Sequence, residues 1–215
     1  MQSISIAVGF GLAASAVAGG WAAARAIAMF SSRRIPLSAA IAMCAIIAAW
    51  TCAVFPLMYL LPITLFLGWL LFVSAGVDAL EFRLPNLLTI SLIVTGLAVT
   101  AIVSRDEFLS HLIGAAVGYA AFAGFAFAYR KLRGRDGLGM GDAKLIAGGG
   151  AWLGWEALPS IVLIASVVGL LWYGVLAIMR GRSALAERIP FGVPLCLAIW
   201  LIWLYGPLLN LVGPT

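Results

Sequence analysis

Two aspartates stand where a mostly apolar chain has least reason to carry charge. Asp78 ends the apolar run 57–77 and is followed by Ala79-Leu80-Glu81-Phe82-Arg83-Leu84-Pro85-Asn86. Asp142 lies in Gly137-Leu138-Gly139-Met140-Gly141-Asp142-Ala143-Lys144-Leu145, where another apolar run opens. An ionisable side chain at membrane depth marks a functional site by default. Each has an ordinary explanation when taken alone. Asp78 can be a boundary residue reaching the aqueous interface, although a carboxylate at a helix C-terminus opposes the macrodipole. Asp142 can be a simple helix N-cap, a position that aspartate favours. Taken together they suggest chemistry. Two neighbouring carboxylates share a proton and titrate as a pair, and such a pair can activate water against a peptide bond.

The rest of the chain must position that pair. Of its 215 residues 64% are hydrophobic and 10% charged, against about 25% charged in a soluble domain. That composition excludes a soluble enzyme and a disordered chain. Apolar runs fall at 4–29, 35–55, 57–77, 85–103, 108–129, 142–156, 158–179 and 190–211. At roughly 20 residues per span they predict an all-α polytopic membrane protein with about eight transmembrane helices. We read residues 1–215 as a single integral-membrane domain. The sixth run is short and rich in glycine (Gly148, Gly149, Gly150, Gly154), and Pro36, Pro56, Pro85, Pro159 and Pro190 punctuate the boundaries. Gly11, Ser15, Ala18, Gly19 and Gly20 offer the first span close approach to a neighbour. The first charge is Arg25, so residues 1–24 lack the basic region of a secretory signal and read as a retained span.

Loop charges give the orientation. Alternate loops place Arg33, Arg34, Arg83, Arg130, Lys131, Arg133, Arg135, Arg180, Arg182 and Arg188 on one side, and only Arg105 on the other. The positive-inside rule makes the first side cytoplasmic, with both termini outside. Asp78 and Asp142 then lie at the cytoplasmic boundary, and the sequence permits their helices to pack side by side, bringing the two carboxylates together. The same asymmetry accounts for the net charge of +5 without a nucleic-acid partner; membrane lipid is the expected surrounding.

The other six acids read as boundary or loop charges. Asp106 and Glu107 belong to an outer loop, Glu156 to the outer end of the sixth span, and Glu187 to a basic inner loop. Glu81 neighbours Arg83 and pairs with it weakly, and Asp136 follows the basic stretch 130–135. His111 opens the fifth span and reads as an interface residue rather than a ligand. The eight tryptophans read as interfacial anchors. Cys44, Cys52 and Cys196 lie in apolar runs without CxxC spacing and read as buried free thiols, with neither disulfide nor metal.

These residues resemble the prepilin peptidases, GxGD-type intramembrane aspartic peptidases of the bacterial inner (cytoplasmic) membrane. Gly139-Met140-Gly141-Asp142, extended to Ala143-Lys144-Leu145, has the form of their GxGD motif. The segment 78–89, with Leu84-Pro85-Asn86 and Leu88-Thr89, is similar to the sequence around their other aspartate. Ile189-Pro190-Phe191-Gly192 looks like their proline-phenylalanine-glycine segment, and Asp136 stands where an acid commonly precedes the motif. The resemblance covers residues 34–205, with the first span, 4–29, divergent. It implies that Asp78 and Asp142 are the catalytic pair, supported by Gly139, Gly141, Lys144, Pro85 and Asn86. It further implies cleavage of a basic leader from a type IV prepilin or pseudopilin, with no metal or cofactor required for proteolysis.

Longer members carry a large cytoplasmic insertion after the first span, often with paired zinc-binding cysteines, and many also methylate the new N-terminus from S-adenosylmethionine. Here only Phe30-Ser31-Ser32-Arg33-Arg34 separate the first two apolar runs, so structural zinc is not expected and methyltransferase activity is expected to be weak or absent. In the implied mechanism one ionised aspartate activates water and the other, protonated, polarises the scissile carbonyl. Helix ends favour Asp142 as base and Asp78 as acid, a division that a coupled pair leaves open. Asp136 or Glu81 offers attraction to the basic leader, with ordinary loop charge as the default reading. The alternatives are a proton- or cation-coupled transporter and a catalytically silent pilus-assembly homologue. Acids at the membrane edge, without a visible inverted repeat, disfavour the transporter.

Overall fold

The computed structural model describes residues 2–54, 60–134, 139–180 and 190–208. Asp136, Glu187, Pro56 and Ile189 lie outside the described residues. The described elements are α1 (Gln2–Phe30), α2 (Leu37–Val54), α3 (Leu61–Glu81), α4 (Asn86–Val103), α5 (Phe108–Arg133), α6 (Met140–Leu153), α7 (Leu158–Arg180) and α8 (Gly192–Tyr205). Short 3-10 turns, Arg105–Glu107 and Trp155–Ala157, lead into α5 and α7.

Proline and left-handed residues set these boundaries. Pro62 lies in the first turn of α3, where its missing N–H costs nothing, and Pro85 is the N-cap of α4. Gly134, Gly154 and Gly206 close α5, α6 and α8 at positive φ. Phe82 does the same for α3 at φ 53°, without the freedom of glycine.

Among the described residues six segments are long and apolar enough to cross a membrane: Gly11–Phe30, Leu37–Val54, Leu61–Glu81, Asn86–Val103, Arg105–Arg133 and Trp155–Arg180. The chain is an all-α polytopic membrane protein with six clear membrane-spanning helices. The other two, α6 and α8, have 14 residues each and rise about 21 Å, short of a hydrocarbon core of about 30 Å.

The short α6 is the centre of the fold. Residues 145–152 are all buried, and its three consecutive glycines face different neighbours. Gly148 lies against Leu92 of α4, Gly149 against Ile161 of α7 and Ile199 of α8, and Gly150 against the backbone of Gly114 in α5. Helices in lipid associate through packing rather than water exclusion, so missing side chains permit the close contact. The glycines also make room for tryptophan. A Cβ at Gly96 would lie 2.6 Å from Trp152 Cδ1, and one at Gly68 would lie 3.0 Å from the Trp200 ring. Trp152 and Trp200 are 2% and 5% exposed, so these two are core residues rather than interfacial anchors. Trp21, Trp155 and Trp172 are exposed, and Trp69 packs against Gly19.

The α1–α2 pair leans on α3. Gly20 meets the backbone of Ile41, and Ala23, Ile27, Cys44, Val73 and Val77 form one apolar cluster. Of the small residues in the first span, Gly19 and Gly20 make the expected close approach. Gly11 has open space, Ala18 is exposed, and the Ser15 hydroxyl donates to its own helix at Leu12 O. Cys44 and Cys196 are buried free thiols as expected, but Cys52 is exposed because it lies on the outward face of α2.

At the end of α5 remote from its basic turn, His111 is buried and joins three helices. Its Nδ1 lies 3.0 Å from Ala151 O in α6 and 3.1 Å from Thr100 Oγ1 in α4. A carbonyl only accepts, so the proton sits on Nδ1. His111 therefore acts as an interhelical tie, which its lone position in the sequence could not reveal.

Candidate active site

Asp78 occupies the last turn of α3 and is 4% exposed, while its own carbonyl accepts the N–H of the C-cap residue Phe82 at 2.9 Å. The side chain points at the start of α8, whose Gly192 and Val193 N–H groups donate to the carboxylate. These are amides that the first turn of a helix leaves unpaired, so an acid there satisfies both helix and side chain. The oxygen Oδ2 itself has no hydrogen-bond partner among the described residues. Gly192 permits the approach, since a Cβ there would stand 2.6 Å from Asp78 Oδ2.

Asp142 is half-buried in the first turn of α6. The N-cap is Gly139, not Asp142, because the backbone is still extended at Gly139 (φ −72°, ψ 138°) and becomes helical at Met140. The Asp142 N–H donates to Gly139 O at 3.1 Å, and its carboxylate accepts the Gly139 N–H. This is the acidic half of a capping box, with glycine in place of the usual hydroxyl residue.

The two carboxylates are close enough for the charge of Asp78 to act on Asp142, and both act on Cys196, one turn into α8. Their helices do not pack side by side, the arrangement that the sequence permitted. The main contacts of α3 are with α8 and α1, and those of α6 with α5, α4 and α8. The α3 C-terminus and the α6 N-terminus meet across the start of α8 and the Leu84 side chain. Leu84 fits both glycines of the site: a Cβ at Gly141 would lie 3.0 Å from Leu84 Cβ, and one at Gly192 would lie 3.1 Å from Leu84 Cδ1.

Lys144 Nζ donates to Asn86 Oδ1 at 2.6 Å, tying the first turn of α6 to the first residue of α4. Pro85 sets the extended entry to α4, and its carbonyl receives the Leu88 N–H at 3.1 Å. Gly139, Gly141, Lys144, Pro85 and Asn86 thus all gather at the ends of α3, α4 and α6. Two contributors escaped sequence reasoning as site residues. Leu84 was unremarkable in an apolar chain, whereas the signal for Gly192 was already present in the proline-phenylalanine-glycine segment.

Glu81 differs from expectation in part. Arg83 acts on it only weakly and without a close ion pair, as expected, but its main partners come from another loop: Oε1 accepts from Ser31 Oγ at 2.7 Å, Ser32 N at 2.9 Å and Ser32 Oγ at 3.2 Å. The loop between α1 and α2 is thereby fastened one turn from Asp78.

The chain is similar to known proteins over the stretch that holds both aspartates. The Type IV leader peptidase family matches residues 65–174, a stretch containing both aspartates but not α1, α2 or α8. The chain is 36% identical over 142 residues to the prepilin leader peptidase/N-methyltransferase of Aeromonas salmonicida (strain A449), covering 66% of this chain and 48% of that one. It is 41% identical over 122 residues to the protein of the same name from Burkholderia pseudomallei (strain 1026b), covering 57% and 39%. It is 38% identical over 121 residues to leader peptidase HopD of Salmonella typhimurium, covering 56% of this chain and 78% of that one. The chain spans about half the length of the first of these relatives. No solved structure matches it. The chain belongs to the type IV leader peptidase family.

Proposed function

We propose that the chain is an aspartic endopeptidase of the bacterial inner membrane that removes the basic leader from type IV prepilins or pilin-like secretion subunits. The observation that carries this reading is the meeting of Asp78 and Asp142 at two helix ends, within each other's electrostatic reach, in a chain of this family.

One proton shared by the pair leaves one carboxylate ionised and the other protonated. The ionised member takes a proton from water as its oxygen attacks the carbonyl carbon. The protonated member donates to the carbonyl oxygen. Collapse of the tetrahedral intermediate moves a proton to the departing nitrogen and breaks the C–N bond. The products are a leader ending in a carboxylate and a mature subunit beginning with an amine. Either aspartate can begin as the base, since both sit against helix N-terminal amides.

The orientation follows the basic loops, with the α3 and α6 site at the cytoplasmic face and both termini outside. All eight helices lie within the membrane-embedded body, α6 and α8 as short enclosed members. Residues 1–215 act as one peptidase domain in contact with lipid and without nucleic acid. The reaction needs no metal or other cofactor, because the carboxyl pair supplies both acid and base. Methyl transfer is weak or absent. Supporting this, the α1–α2 connection is short, and HopD, of which the chain covers the greater share, is named for leader cleavage alone.

Proteoliposomes containing the purified chain and a prepilin-like substrate test the reading. Release of a shortened substrate without accompanying proton flux supports a peptidase. Substrate-dependent proton flux without cleavage contradicts it and favours a transporter.

A further inference from the structure

Glu81 combines three features. Its Oε1 is held by the Ser31 hydroxyl and by the backbone and hydroxyl of Ser32, and Ser31 Oγ is itself fixed by the Arg33 N–H at 3.0 Å. The carboxylate is therefore pre-positioned rather than swinging freely. Arg33, Arg34 and Arg83 all lie nearby in the chain, and the charge of Arg83 is felt weakly by the carboxylate, yet none forms a close ion pair with it among the described residues, and no hydrogen bond there reaches Oε2. Glu81 and the aspartate pair are also the only acids among the described residues at this end of the bundle; Asp106, Glu107 and Glu156 occupy the other end.

Its position relative to the site is set by helix geometry. Asp78 and Glu81 are three residues apart on α3, which places their Cβ atoms about 5–6 Å apart, Glu81 being nearer the helix end. An extended peptide advances about 3.3 Å per residue. A chain with its scissile bond at Asp78 therefore passes Glu81 with a residue about two positions upstream. The neighbouring arginines repel a basic leader, so this fixed carboxylate supplies the attraction at the entrance.

We infer that Glu81 binds the leader, its Oε2 receiving the ammonium or guanidinium of a basic residue about two positions before the scissile bond. This rests on the leader-peptidase reading. It makes Glu81 a specificity-determining residue in addition to the tie that fastens the α1–α2 loop.

The test uses the full chain in proteoliposomes. The substrates share one hydrophobic segment and one leader, with Lys, Gln or Glu two residues before the scissile bond. The variant is Glu81→Gln, whose side-chain carbonyl still accepts from Ser31 and Ser32 and keeps the loop fastened. Wild type is expected to favour the Lys leader over the Gln leader by about threefold to tenfold in kcat/KM, and to discriminate further against Glu. Raising salt to 1 M should erode that preference. In Glu81→Gln the Lys-to-Gln ratio should fall to near one. An unchanged ratio in the variant, or no wild-type preference for Lys, overturns the assignment while leaving the peptidase reading intact. Failure of wild type to cleave any of the three substrates overturns both.

Discussion

A Cβ placed on Gly192 would stand 2.6 Å from Asp78 Oδ2 and 2.9 Å from its Cγ, so the first residue of α8 and the last-turn acid of α3 fit only without a side chain between them. The same residue donates its N–H to that carboxylate. The start of α8 thus forms a wall of the site, and the short terminal helix has a direct part in placing the acid.

Gly192→Ala should displace Asp78, a short buried side chain with little room to yield. We expect cleavage to fall by about 100-fold, the scale of loss when a reacting group moves by about 1 Å. Gly174→Ala, where a Cβ meets open space, serves as the control and should retain wild-type activity. Equal activity of the two variants would argue against the α8 contact.

The Lys144–Asn86 bond couples α4 to α6 across the site. Lys144→Met and Asn86→Ala should each reduce kcat/KM modestly, and the double variant should be little worse than either. A double-mutant cycle measures the link, with an expected coupling of about 0.5 kcal/mol for an exposed charged hydrogen bond. Fully additive losses would show that the residues act separately.

Gly150 lies against the backbone of Gly114, where α5 and α6 pack most intimately. Gly150→Val should force these helices apart and lower thermal stability in detergent, with a cost of about 1–3 kcal/mol for overpacking. Gly124→Val, on the same α5 but facing open space, should be nearly neutral. A similar melting temperature for both would contradict the central placement of α6.

A pair that works with one shared proton loses activity on both sides of an optimum. At low pH both carboxyls are protonated and no base remains; at high pH both are ionised and no acid remains. The profile of kcat/KM against pH should therefore be bell-shaped, with limbs that belong to the pair rather than to either residue. A profile that rises to a plateau would point to a single essential group.

What was legible in the sequence follows from the solvent. In lipid a charge is expensive, so Asp78 and Asp142 stood out against apolar runs, and Pro36, Pro85 and Pro159 marked the starts of α2, α4 and α7. Helix partners were not legible. A helix facing lipid and one buried in protein are both apolar, so α6 gave no sign that it lies at the centre. Its glycines lowered its apparent hydrophobicity while allowing the closest packing. For the same reason Trp152 and Trp200 could not be told from interfacial anchors, nor His111 from a boundary residue. Glu81 could be linked to its sequence neighbour Arg83, whose influence is weak, but its main partners, Ser31 and Ser32, come from another loop that the sequence did not point to. Periodicity reports a face but not its partner.

The central claim is that Asp78 and Asp142 together hydrolyse the leader peptide bond. Its most direct measurement is the cleavage rate of a prepilin-like substrate by purified wild type, Asp78→Asn and Asp142→Asn, each first confirmed to be folded in the membrane fraction. Asparagine keeps the shape but neither holds nor transfers the shared proton. Each variant should lose about 1,000-fold or more of the wild-type rate, within the range assigned to positioned acid–base groups. Cleavage at the wild-type rate by either variant would contradict the account.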